Sequence, residues 1–244
     1  SSLVFDSFAN SNVAIGALAL YVSKYNSFNI AIGPSAMYNT DSSSYLIAIG
    51  DSALARNRQG VSGSNTVAGS RNIAIGSKSL KLNVEGRGNT AVGYQSLQAN
   101  TGVTDTEGSI NTALGVQTGF QNTTGAANTF LGAEAGKSNT TGNENVFVGS
   151  GAGSNTTTGS ANIFIGQASG GNNSTGNANV QIGESSGKAI ASGSQNTLVG
   201  FRSGVKLIGG SNNVALGAYS LNGDSVNAIN GLVAIGDSSL FSNT

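Results

Sequence analysis

The sequence predicts an all-β chain wound as a parallel β-solenoid of about thirteen coils, mostly of seventeen residues. Three observations predict it. A short apolar step closed by glycine recurs at Gly16, Gly33, Gly50, Gly76, Gly93, Gly115, Gly132, Gly149, Gly166, Gly183, Gly200, Gly217 and Gly236, and nine of the twelve intervals are seventeen residues long. Asparagine stands four residues before eleven of these glycines, as in Asn12-Val13-Ala14-Ile15-Gly16. The residue just before the glycine is isoleucine, valine or leucine in every repeat. A fixed period of this size marks a repeat architecture.

Each element of the coil follows from its residues. With the asparagine numbered one and the glycine five, position two is valine, isoleucine or threonine throughout. β-branched residues suit a pleated surface, and strand side chains alternate, so positions two and four share one face. The expectation is that this apolar pair points into the core and position three points out. After the glycine come two variable residues, a small one, and then leucine, methionine or glycine, as in Gly93-Tyr94-Gln95-Ser96-Leu97 and Gly132-Ala133-Glu134-Ala135-Gly136. This reads as a second, shorter strand. A turn follows, often Asn-Thr-Thr-Gly as at 122–125 and 139–142. Helix is disfavoured because no 3.6-residue period is sustained and glycine interrupts throughout. Stacked at the ~4.8 Å strand spacing, the coils would make one rod on the order of 60 Å long, a single domain over 1–244. Irregular coils are expected at about 51–76, 98–111 and 221–232. The position-one asparagines should form an amide ladder, and the position-five glycine should serve a corner of positive φ or close backbone approach.

Composition narrows the function classes. Only 9% of residues are charged and eleven cations balance eleven anions, so no general field attracts nucleic acid or an anionic membrane. There is no cysteine or histidine, which excludes disulfides, zinc sites built from them and a histidine-activated serine nucleophile. No stretch approaches the roughly 18 apolar residues of a membrane span, and the start at Ser1-Ser2 shows neither a basic leader nor an apolar signal core, so the expectation is either a processed or excised piece or an anchor that lies elsewhere. The acids are scattered, Asp105 and Glu107 alone sharing a loop without the ligand density of a calcium site. No catalytic residue, cofactor or metal is expected.

The Asn-Val-Ala-Ile-Gly step with a small residue and leucine following, recurring from Asn12 to Leu240, resembles the head repeat of trimeric autotransporter adhesins of the YadA type. Repeats such as Asn111-Thr112-Ala113-Leu114-Gly115 with a Thr-Thr-Gly turn are similar to rod sections of bacteriophage and virus tail fibres. The resemblance implies a left-handed β-roll, a homotrimer and a role in attachment. The chain departs from the adhesin pattern in its mostly seventeen-residue repeat and in showing neither coiled-coil stalk nor membrane anchor.

Two groups of residues are candidate sites. Position three is alanine in eight repeats and phenylalanine in three successive ones. Small apolar residues on an outward face fit a subunit seam, made of Ala14, Ala31, Ala48, Ala74, Ala91, Ala113, Phe130, Phe147, Phe164, Ala215 and Ala234. The three phenylalanines alternatively form an exposed ladder that stacks on sugars. The second group is the cation-rich stretch with Arg56, Arg58, Arg71, Lys78, Lys81 and Arg87, either a solvated face or a patch for an anionic glycan or acidic partner.

The expected function is a structural and attachment rod, extracellular on a bacterial surface or virion fibre. It would bind a receptor, glycan or matrix protein multivalently and would not be an enzyme. The alternatives are an architectural spacer and a single-chain ligand- or ice-binding solenoid. Against the last, the position-two threonines Thr90, Thr112, Thr129 and Thr197 are intermittent and expected to face inward.

Overall fold

The structure, a computed structural model, describes residues 5–6, 11–24, 26–57, 68–102, 104, 106–222 and 229–241. They fall into two compact units, residues 1–128 and 129–244. Each is a parallel β-solenoid. In the first unit the strands Val13–Ile15, Ile30–Ile32, Ile47–Ile49, Ile73–Ile75, Thr90–Val92 and Thr112–Leu114 pair in succession, all parallel. Phe5–Asp6, Val22–Lys24 and Asn39–Asp41 form a smaller parallel sheet beside them. In the second unit the series runs Thr129–Leu131, Val146–Val148, Ile163–Ile165, Val180–Ile182, Thr197–Val199, Val214–Leu216 and Val233–Ile235.

Register never slips. Position three lies opposite position three at Ala14–Ala31, across the 26-residue interval at Ala48–Ala74, and across the 22-residue interval at Ala91–Ala113. The extra residues fall between one strand and the next and leave the pairing of the following strand unchanged. At the longest of these insertions, residues 58–67 lie outside the described residues, and Gly69 beyond them resumes the turn by accepting hydrogen bonds from Asn57 and Asn72 Nδ2, both 2.9 Å.

The asparagine ladder expected at position one is present and buried. Asn145 Oδ1 accepts from the Asn162 backbone N–H at 3.0 Å and Asn162 Nδ2 at 3.1 Å, while Asn162 Nδ2 also donates to the Gly176 carbonyl at 2.8 Å. Asn162 repeats the pattern to Asn179, Asn179 to Asn196, and Asn196 to Asn213. In the first unit Asn29, Asn89 and Asn111 each donate a backbone N–H to the preceding rung. A second buried ladder at the far turn links Asn83 to Asn57 and Asn100 to Asn83 at 2.6 and 2.7 Å.

Position-five glycine meets both reasons proposed for it. Gly16 has φ of 126°, and a Cβ built there would stand 2.8 Å from the carbonyl carbon and oxygen of Gly33. The corner and the close stacking therefore both demand glycine.

The second strand expected at positions six to nine is not one. Positions seven and nine adopt left-handed backbone, Ser35 and Met37 at 54° and 50°, Gln95 and Leu97 at 57° and 47°. The physical reason lies in where the side chains must go. An extended segment would send positions eight and nine to opposite faces, whereas the left-handed residues curl the wall so that Ala36 and Met37, or Ser96 and Leu97, both enter the interior. Most buried serines at position eight are satisfied by position-three carbonyls of the next coil, as in Ser79 to Ala91 at 2.9 Å and Ser186 to Leu198 at 3.0 Å, whereas Ser220 donates to Gly217 of its own coil at 2.8 Å.

The interior follows a rule of compensation between positions three and nine, six residues apart. Where position three is alanine, position nine is leucine or methionine: Ala31 with Met37, Ala91 with Leu97, Ala215 with Leu221. Where position three is large, position nine is glycine: Phe130 with Gly136, Phe147 with Gly153, Phe164 with Gly170, Gln181 with Gly187, Leu198 with Gly204. A Cβ on Gly136 would stand 2.6 Å from Phe130 Cε1, and one on Gly153 2.5 Å from Phe147 Cε2. The lumen is one large side chain thick. Ala113 with Gly119 is the exception, small on both walls, beside buried Thr118.

Two outcomes are expected. Phe147→Ala should lose about 3–5 kcal/mol by opening a cavity, and Gly153→Leu about 1–3 kcal/mol by overpacking. Combined, they should recover most of the loss, since alanine at position three with leucine at position nine recreates the arrangement of Ala91 and Leu97. Urea unfolding of the three variants measures the coupling, and simple additivity would refute compensation. Gln181 is fully buried and neither amide atom has a hydrogen-bond partner. Gln181→Leu should therefore raise stability by about 1–3 kcal/mol in the same assay.

Candidate functional site

The coil interior decides which side chains remain for contact with other molecules. Of the eleven position-three residues expected at a subunit seam, all but Ala14 are at most 2% exposed within the single chain, and Ala14 of the first described coil is half-buried. The seam expectation of Ala14, Ala31, Ala48, Ala74, Ala91, Ala113, Phe130, Phe147, Phe164, Ala215 and Ala234 is thus inverted: these residues line the lumen. The alternation holds, but the inward face has the opposite parity. A lumen one side chain thick accepts a single residue per strand, and two branched aliphatics would not fit. The exposed aromatic ladder falls with the seam. Phe130 stacks on Phe147 at 5.4 Å between ring centroids and Phe147 on Phe164 at 4.8 Å, inside the second unit.

Positions two and four face outward in consequence. In the first unit Val13, Ile15, Ile30, Ile49, Ile75 and Leu114 are exposed, and in the second Leu131, Ile163, Ile165, Leu216, Val233 and Ile235. No charged residue occupies either position in any repeat. Each unit therefore carries an aliphatic sheet face, continuous from strand to strand through the parallel register. The position-two threonines are outward as well, correcting the expectation. Thr90 pairs with Thr112, but Thr197 stands between Val180 and Val214, so no continuous hydroxyl array forms.

The six cations are not one patch. Lys78 follows the glycine corner at position seven, whereas Arg71 and Arg87 lie on the turn that leads back into the long sheet. Arg58 lies outside the described residues. Arg56 and Lys81 do come together, with the Arg56 N–H donating to the Lys81 carbonyl at 3.1 Å. They border a surface depression of about 400 Å³ whose lining also includes Leu18, Ser35, Tyr38, Ser52 and Ala55. Tyr38 is 37% exposed and stacks on Tyr21 with centroids 5.3 Å apart and planes 4° from parallel. Sequence reading finds the two cations but not this groove. Its signal is the column of residues five past each glycine, Tyr21, Tyr38, Ala55 and Lys81.

Asp105 of the acidic loop lies outside the described residues, and among the described residues no three metal-ligating side chains gather. Among them, too, no helix is long and apolar enough to cross a membrane. Comparison of the chain with protein-family models, curated proteins and solved structures gives no match. Fold and surface alone define the class: a parallel β-solenoid with an aliphatic outer sheet and a basic, aromatic groove.

Proposed function

We propose that this chain is a structural and attachment segment, a fibre or adhesin-head module that assembles as a homotrimer and binds a surface multivalently. The observation that carries the reading is the uncharged aliphatic face at positions two and four. Contiguous apolar surface of this kind marks an interaction site, and a second copy of the same chain is the partner whose repeats match its spacing coil for coil. The number three comes from the resemblance to trimeric adhesin heads and tail fibres. Three copies would present each outer contact threefold, so that weak individual contacts sum to avidity. The same resemblance is what supports a location outside the cell, on a bacterial surface or a virion. The reading is non-catalytic. A spacer function would share the assembly and lack the outer contact.

Light scattering coupled to size exclusion tests it. The expected mass is three times 24.1 kDa. Ile163→Asp with Ile165→Asp, both outward, should yield a folded monomer or weaken assembly at least tenfold. Phe164→Asp, between them but inward, should abolish cooperative folding, since an isolated buried charge costs several kcal/mol. A wild-type monomer at all concentrations would overturn the assembly reading.

A further inference from the structure

The depression beside Tyr38 has the features of a ring-shaped slot with a missing ring. Its lining comes from positions seven, ten and eleven of the coils, past the glycine corner, and includes no residue of positions two or four. The position-ten column runs Tyr21, Tyr38, Ala55, Lys81, fixed by backbone hydrogen bonds from Val22 to Tyr38, Asn39 to Ala55 and Arg56 to Lys81 at 3.0–3.1 Å. Tyr21 covers one side of the Tyr38 ring and does not line the depression, so Tyr38 turns its other side toward the rung held by Ala55. A methyl group there leaves an open rung between Tyr38 and Lys81, two strand spacings or about 9.6 Å apart. That gap admits one flat or chair-shaped ring.

The groups around the gap are selective. Arg56 and Lys81 form no ion pair among the described residues, unlike Lys137, which holds Glu134 at 2.9 Å. Arg56 offers a planar fork that matches a carboxylate or sulfate, and Lys81 a point charge. Ser35 and Ser52 also line the depression. Asp51, next to Ser52 in the chain, accepts from Ser52 Oγ at 3.2 Å and Ser77 Oγ at 3.4 Å and does not line the depression. A volume near 400 Å³ falls in the range of about 300–1,000 Å³ found for small-ligand sites.

We infer that this depression binds one acidic sugar residue, a pyranose carrying a carboxylate or sulfate, with its ring against Tyr38 over Ala55 and its anion between Arg56 and Lys81. The inference deepens the attachment reading by naming the sugar chemistry it contacts, and it does not depend on the trimer. Adjacent aromatic and cationic groups favour this over free anion capture, because the ring face contributes as well as the charge.

Calorimetric or NMR titration of the full chain tests it, with glucuronate, N-acetylneuraminate and glucose 6-sulfate as probes and glucose and inorganic sulfate as controls. A single weak site with Kd on the order of 1 mM is expected for at least one acidic sugar, at least tenfold tighter than either control. Arg56→Gln, Lys81→Gln and Tyr38→Ala should each weaken it about tenfold. Ala55→Phe, which fills the rung, should abolish binding, and Lys188→Gln in the second unit should change nothing. Equal affinity for acidic sugar and glucose, sulfate binding as tightly as the sugars, or undiminished binding in Ala55→Phe would overturn the inference. A trimer that binds no acidic sugar refutes the slot alone; a monomer that binds one refutes the assembly alone.

Discussion

The buried amide column at position one is the constraint from which the rest of the coil geometry follows. A typical asparagine fastens two things at once, the backbone of the neighbouring rung and a carbonyl of the turn: Asn179 Oδ1 accepts from the Asn196 backbone N–H while its Nδ2 donates to the Gly193 carbonyl. Removing one partner from such a chain strands its neighbours in a dry interior, at about 1–3 kcal/mol for each unsatisfied group. Strand and turn are therefore locked in phase. Insertions of five or nine residues between strands do not move the strand that follows, so Ala48 still faces Ala74 and Ala91 still faces Ala113. Two rungs lack asparagine, Leu46 and Leu232. Their backbone N–H groups still donate to the preceding asparagines, Asn29 and Asn213, both at 2.9 Å, so one missing amide does not break the register.

With register fixed, lumen volume becomes the second constraint. The wall opposite the long sheet is so near that glycine is the residue facing each phenylalanine, and leucine or methionine the usual residue facing each alanine. Glycine at position nine removes a second difficulty as well, because the backbone there is left-handed: Gly136 and Gly153 sit at 59° and 56°, where Leu54 and Leu97 sit at 49° and 47°. A β-carbon in that conformation costs roughly 1–2 kcal/mol. The alanine–leucine coils accept this and gain apolar burial on the curled wall. The phenylalanine–glycine coils of the second unit avoid it and place the burial in the sheet.

Period, strand position, amide ladder and corner glycine were all legible in the sequence, because each depends on one residue type at a fixed place. The facing of the strand was not. Alternation establishes that Ile163 and Ile165 share a side opposite Phe164; it does not establish which side is inside. Treating the more apolar pair as buried fails here because exposed apolar residues are common, and parity is set by lumen thickness. The information was present in a correlation between positions, alanine with leucine and phenylalanine with glycine six residues later, instead of in any single column. The groove was hidden for a related reason. Tyr38, Arg56 and Lys81 are 18 and 25 residues apart, and only the 26-residue interval in the register brings Lys81 next to Arg56.

The corrected facing changes what the surface is for. With positions two and four inside, the outside would be polar turns and small residues, and the chain would be self-sufficient. With them outside, each unit spends its β-branched residues on a face that its own coil does not cover. Burying a branched side chain is worth roughly 1.5–3 kcal/mol, and a solenoid repeats that term at every rung. The gain from covering the face therefore grows with the number of coils, while the translational cost of association is incurred once for each copy that joins. A repeat that leaves its best apolar residues exposed or half-buried on its outer face fits a chain whose coils are completed by other copies of itself. The walls beyond the glycine corner, where position-ten residues vary from tyrosine to lysine to glycine, are left free to differ from coil to coil, and recognition would be expected on those walls.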